Sequence, residues 1–154
     1  MVERITYLQC VMKITQVSLS DQNVLAWIIF VSALALHVLD EAMTDFLPFY
    51  NQMVASLQEK YGYFPAPTFT FQSWLAGLIT VILIGYLATI KVAQGGKIIR
   101  VISIVLGILM VANALGHLVG SLYFERMLPG LRSSPILLAA SIWVIIRGFK
   151  FDSR

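Results

Sequence analysis

The chain contains two histidines, His37 and His117, each inside a long apolar run with other chemically active side chains at helical spacing. Around the first, the sequence reads His37-Val38-Leu39-Asp40-Glu41. Positions i, i+3 and i+4 share one face of a helix, so a continuous helix sets both carboxylates beside the imidazole. Ala33 and Thr44 extend that face with a small and a hydroxyl group. Around the second, Asn113 stands at i−4 and Ser121 at i+4. Ionisable groups within a membrane are costly and turn toward a bundle interior or a water-filled cavity. If the two faces meet, His37, Asp40, Glu41, Asn113 and His117 form one polar cluster. Glu125 and Arg126 reach it only if the helix carrying His117 continues past Tyr123.

Two chemistries fit those residues. In the first, His37, His117 and one or both of Asp40 and Glu41 bind a divalent metal. Two imidazoles and a carboxylate suit zinc or non-haem iron with a position left open. Zinc points to hydrolysis of a lipophilic substrate and iron to its oxidation. In the second, no metal takes part: Glu41 is the acid/base, His37 or His117 its partner, and Asn113 orients His117 or hydrogen-bonds the substrate. That set suits isomerisation or cyclisation. Ser121 has no nucleophile-elbow or oxyanion feature around it, so serine-type catalysis is set aside. Taken singly, each residue has a plain reading as an interfacial, packing or solvated group. A different class is a non-catalytic binding or transport module acting as an oligomer. That alternative expects polar groups spread through the bilayer, whereas here the ionisable ones gather near one edge.

The elements that must position these residues follow from composition. Of 154 residues, 58% are hydrophobic and only 12% charged, with a mean hydropathy of +0.81. Soluble domains carry about twice that charge, so an integral membrane protein is indicated. The net charge of +3 comes from basic residues scattered singly, which sets nucleic acid aside. The lone Cys10 excludes a disulfide framework within one chain and a thiolate zinc cluster.

Four stretches without Asp, Glu, Lys or Arg, at 22–39, 61–90, 101–124 and 133–146, predict an all-α, four-helix transmembrane bundle. The spans are placed at about 22–41, 71–91, 98–124 and 134–148, within a single domain over 21–148. The fourth is short and relies on Arg147 and Lys150 snorkelling. Ser18 with Asp21 reads as a capping box for the first span, and Pro135 after Ser134 opens the fourth. Residues 1–20 read as a surface-lying arm and 149–154 as a cytoplasmic tail. Between spans one and two, Phe49, Met53, Val54 and Leu57 define one side of a short interfacial helix with Pro48 near its start. Ala112, Gly116 and Gly120, like Ser73/Gly77 and Gly85/Thr89, form small-residue series that read as close helix packing. The Gly116/Gly120 face is the candidate contact for a homo-oligomer.

Eight of the eleven basic residues lie on the side holding the arm, the 92–100 turn and the tail. Both termini are therefore expected in the cytoplasm, and in a bacterium the membrane is the plasma (inner) membrane. His37 lies 16 residues beyond Asp21 and His117 lies 17 beyond Arg100 in spans of the same direction. At about 1.5 Å per residue both stand at matching depth, roughly 25 Å from the inner boundary.

The residues quoted above resemble a family, the HXXEE-domain membrane proteins, named for a His followed two residues later by paired acids. The motif stands here as His37-Val38-Leu39-Asp40-Glu41, with Asp in place of the first Glu, one methylene shorter in reach. A later Asn and His and a Pro-Gly pair are matched by Asn113, His117 and Pro129-Gly130. The resemblance spans roughly residues 24–146. It implies a membrane protein of enzymatic appearance with no general reaction to carry over. Pro129-Gly130 is read as the turn before the fourth helix, a structural rather than chemical feature.

Overall fold

A computed structural model describes residues 22–150. The predicted arm over 1–20, the Ser18/Asp21 pair, Cys10 and positions 151–154 of the tail lie outside the described residues. Among the described residues the structure is helical throughout. The helices are α1 (Gln22–Met43), α2 (Phe46–Tyr61), α3 (Phe71–Leu87), α4 (Thr89–Gln94), α5 (Lys97–Tyr123) and α6 (Ser134–Phe149). Three apolar stretches are long enough to cross a membrane: Gln22–Met43, Phe71–Gln94 and Lys97–Tyr123. α6 is apolar but has only 16 residues.

α1 is the central helix. It buries nine residues, whereas α3 buries only Trp74. The inward side of α1 runs through Val24, Trp27, Phe30, Val31, Val38 and Glu41, a helical repeat of three and four. His37 falls on the same stripe, so the periodicity that packs the core also aims His37 and Glu41 inward. α6 lies against both α1 and α5. The core joins Val24, Phe30 and Val31 of α1 to Ala114 of α5 and Leu137, Ala140 and Val144 of α6. α3 is held to α1 by the Trp27 indole, which donates to the Gly85 carbonyl at 2.8 Å, and by a Ser32–Tyr86 hydroxyl pair at 2.9 Å.

Turn chemistry sets the connections. Asp45 takes a left-handed conformation (φ 56°) between α1 and α2. Gly95 and Gly96, both at positive φ, reverse the chain between α4 and α5. α5 stops at Tyr123 and Glu125 is itself left-handed (φ 51°), so Glu125 and Arg126 leave the helix and are exposed. The left-handed Asp45 starts α2 at Phe46, ahead of Pro48, which the first turn of a helix tolerates. α2 turns Leu47 and Val54 inward with Phe49 and Leu57 half-buried, so of the four residues expected on one side only Met53, 44% exposed, stands out from it.

Candidate metal centre

His37 and His117 meet at the end of α1 and α5, with ring centroids 4.9 Å apart and planes at 71°. Glu41, one turn beyond His37, places Oε1 3.4 Å from His37 Nε2 and 3.2 Å from His117 Nε2. All three side chains are buried. One ligand atom from each lies within 4.8 Å of the other two, so the group could hold a metal ion. His37 Nε2 and Glu41 Oε1 are fully buried yet make no hydrogen bond. Two imidazole nitrogens and a carboxylate oxygen that converge at these distances have the composition of a catalytic zinc or non-haem iron set.

The orientation of His37 is fixed from the far side. Its Nδ1 lies 2.8 Å from Ser133 Oγ, and the Ser133 hydroxyl donates to Asp40 Oδ2 at 2.8 Å. The Ser133 backbone N–H donates to the same oxygen at 3.0 Å. A hydroxyl has one proton; with that proton on the carboxylate, Ser133 Oγ accepts from His37 Nδ1–H. The neutral ring then carries its lone pair on Nε2, facing Glu41 and His117. Buffered in this way, Asp40 touches Ser133 and the start of α6 rather than the imidazoles, and it is not part of the converging group.

The remaining expected members divide. Asn113 sits one turn before His117 with its Oδ1 buried and without a hydrogen-bond partner, so it does not orient that ring. Ser121 accepts from the Leu128 backbone N–H at 3.0 Å and pins the loop after α5. Thr44 donates to the Asp40 carbonyl at 2.6 Å and accepts from the Gly130 N–H at 3.3 Å. Glu125 and Arg126 are not among the converging residues.

Two residues had no chemical reading in the sequence. Ser133 is the N-cap of α6, but its side chain makes no capping bond and instead meets His37 and Asp40. Gly130 adopts φ +79°, and a Cβ there would lie 3.0 Å from Cε1 of both histidines and 3.1 Å from Glu41 Cγ. The Pro129-Gly130 turn is thus a wall of the cluster as well as a connection. Nothing local in the run Gly130-Leu131-Arg132-Ser133-Ser134-Pro135 marks this role; the neighbouring Ser134 hydroxyl only donates back to the Gly130 carbonyl at 2.7 Å. Opposite Gly130, the Phe46 ring stands 5.7 Å from His117, and a cavity of about 280 Å³ opens beside Glu41.

Among the described residues, helices long and apolar enough to cross a membrane and a buried two-histidine, one-carboxylate group are compatible with a membrane protein carrying a candidate metal centre. The model of the family described as "Protein of unknown function with HXXEE motif" matches residues 27–144, and the chain belongs to that family. No curated protein and no solved structure matches.

Proposed function

We propose that the protein is an intramembrane metal-dependent enzyme acting on a lipophilic molecule, with His37, Glu41 and His117 holding one divalent cation, zinc or iron. The observation that carries this reading is the convergence of His37 Nε2, His117 Nε2 and Glu41 Oε1, with His37 held in the ligating tautomer by Ser133 and Asp40. Two imidazoles and one carboxylate leave further coordination positions, and the Glu41 cavity is where a substrate atom reaches them. The chemistry such a cation supplies is polarisation of a bound oxygen. The protein's own part is to keep the site dry beneath Phe46 and Gly130 and to fix both rings.

The same reading has four crossings, α6 being the fourth, with both termini cytoplasmic and the centre near the outer face. Of the basic residues described, Lys91, Lys97, Arg100, Arg147 and Lys150 lie toward the opposite end, against Lys60, Arg126 and Arg132 at the end that holds the centre. Such a charge split orients a chain with its basic end inside.

Elemental mass spectrometry of the detergent-purified protein, kept from chelators and nickel resin, tests the metal. Near-stoichiometric zinc or iron is expected, lost in His37→Ala, His117→Ala and Glu41→Gln. Protein that stays metal-free after incubation with each ion overturns the metal reading and leaves acid–base chemistry by Glu41 and the two imidazoles.

A further inference from the structure

The cavity beside Glu41 is walled by Asp45, Phe46, Asn51, Phe69 and Trp74, among others. A second cavity of about 350 Å³ shares Phe46, Phe69 and Trp74 with it and runs on to Tyr50, Ser73, Gly77 and Leu78. Ser73 and Gly77 are exposed on α3, and a Cβ at Gly77 would meet nothing within 4 Å. The pair of cavities therefore leads from the open flank of α3 toward the carboxylate that faces both histidines. Its walls are aromatic faces.

The polar atoms along this path are mostly engaged by the protein itself. The Tyr50 hydroxyl donates to the Pro67 carbonyl at 3.0 Å. Asn51 grips the Phe69 backbone at both ends of its amide, at 2.8 and 3.1 Å. Ser73 donates to the Thr70 carbonyl at 3.0 Å. Among the described residues, no hydrogen bond or ion pair of the Asp45 carboxylate occurs. No Lys or Arg lines either cavity, and the side-chain charges on the path are Glu41 and Asp45. On the other side of Asp40 and Asp45 the situation differs, for Arg126 and Arg132 line the cavity there.

We infer that the substrate is an elongated apolar molecule with an uncharged, oxygen-bearing end, that it enters sideways between α2 and α3, and that it lies against Phe46, Phe69 and Trp74 with its polar end at Glu41. This rests on the metal reading only for the choice of end. A divalent cation balanced by Glu41 and Asp45 leaves no net charge for an ionic group to answer. A carboxylate or phosphate would face two acids without a basic partner, and an ammonium at Glu41 would compete with the cation for the same carboxylate. Without the cation the apolar path remains, because its walls come from α2, the 62–70 connection and α3 rather than from the histidines.

The test is photoaffinity labelling of the full-length protein in detergent. The probes are a long-chain alcohol carrying a mid-chain diazirine, its matched carboxylic acid and its matched primary amine, with labelled peptides mapped by mass spectrometry. The alcohol is expected to label residues 46–51 and 69–78 saturably, to be displaced by excess unlabelled alcohol, and to exceed the acid and the amine by at least about tenfold. Gly77→Phe, which fills the mouth, should abolish most of that labelling, while displacement in the unmutated protein reads the same site if the variant does not fold. Unsaturable labelling spread over the exposed faces of α3 and α5 overturns the path. Equal or stronger labelling by the acid or the amine overturns the uncharged end. Measuring the metal content of the same unmutated preparation separates the two proposals: saturable labelling of protein that stays metal-free after incubation with zinc and iron sinks the metal centre alone, and a metal-loaded protein without saturable labelling sinks the path alone.

Discussion

The single proton of the Ser133 hydroxyl decides what His37 can do. Directed to Asp40, it makes Ser133 an acceptor for Nδ1–H and leaves Nε2 as a ligand; without Ser133 the ring is free to turn or to take the other tautomer. Partners that orient a ligating histidine in this way are worth about 10–100-fold in metal affinity. Ser133→Ala should therefore weaken metal binding by that factor in competition with a chromophoric chelator. Asp40→Asn should do the same to a lesser degree, and the double variant should be no worse than Ser133→Ala, because the two act as one unit. Full additivity, or unchanged affinity in Ser133→Ala, would dissolve the relay. Gly130 makes a separate prediction. An alanine there meets both rings at 3.0 Å in a left-handed backbone, a conformation that costs a non-glycine residue about 1–2 kcal/mol. Gly130→Ala should lose metal and thermal stability together, whereas Gly116→Ala, with open space around it, should lose neither. His37, Glu41 and His117 were legible in the sequence because imidazoles and acids are too costly in apolar helices to be placed idly. Ser133 was not, since it reaches Asp40 across 93 positions and nothing in its own neighbourhood marks the contact.

Among the elements, the contact between α5 and α6 is built on glycines. A Cβ at Gly107 would fall 2.6 Å from Ile145 Cγ1, and one at Gly148 would fall 2.6 Å from Ile104 Cγ1. Gly107→Ala should push the helices apart at about 1–3 kcal/mol, seen as a lower unfolding temperature in detergent. Gly116→Ala is the control: it adds helix propensity on an open face and should be neutral or slightly stabilising. A neutral Gly107→Ala would mean that α5 and α6 do not approach as described. The small-residue series at Ala112, Gly116 and Gly120 was visible in the sequence, but within the chain only Gly120 is packed, against Leu128. The face of Gly116, the expected homo-oligomer contact, is open within the chain, so Gly116→Ala stays neutral only where no second copy packs there. Helix positions and the inward stripe of α1 were legible because apolar length and a 3.6-residue repeat are local properties. Which glycine meets which helix was not, for that depends on the relative rotation of two helices.

For the molecule as a whole, the question is whether α6 crosses the membrane. Its 16 residues span about 24 Å, short of the roughly 30 Å hydrocarbon core, which is why composition and length alone favour three crossings. Its attachments argue for four. At one end Ser133 binds His37 and Asp40; at the other Arg147 donates to Asn23 at 2.9 Å and to Gln22 at 2.8 Å. From Asn23 to His37 and from Ser133 to Arg147 the separation is the same, fourteen positions in each helix. α6 therefore runs antiparallel to α1 over the same depth, and whatever thickness that stretch of α1 traverses, α6 traverses too. In the proposed four-crossing topology the missing length at its ends would be supplied by Arg147 and Lys150, whose stems can reach from an apolar region to water. In a Cys10→Ser background, an impermeant maleimide applied to intact cells should modify Lys60→Cys. Gln94→Cys and Lys150→Cys should react only after permeabilisation. Modification of Lys150→Cys together with Lys60→Cys would mean that α6 turns back at the outer face. A chain pinned to α1 at both ends cannot do that while α1 itself crosses, so that outcome would also remove the Arg147–Asn23 contact and, with it, the register that brings Ser133 to His37.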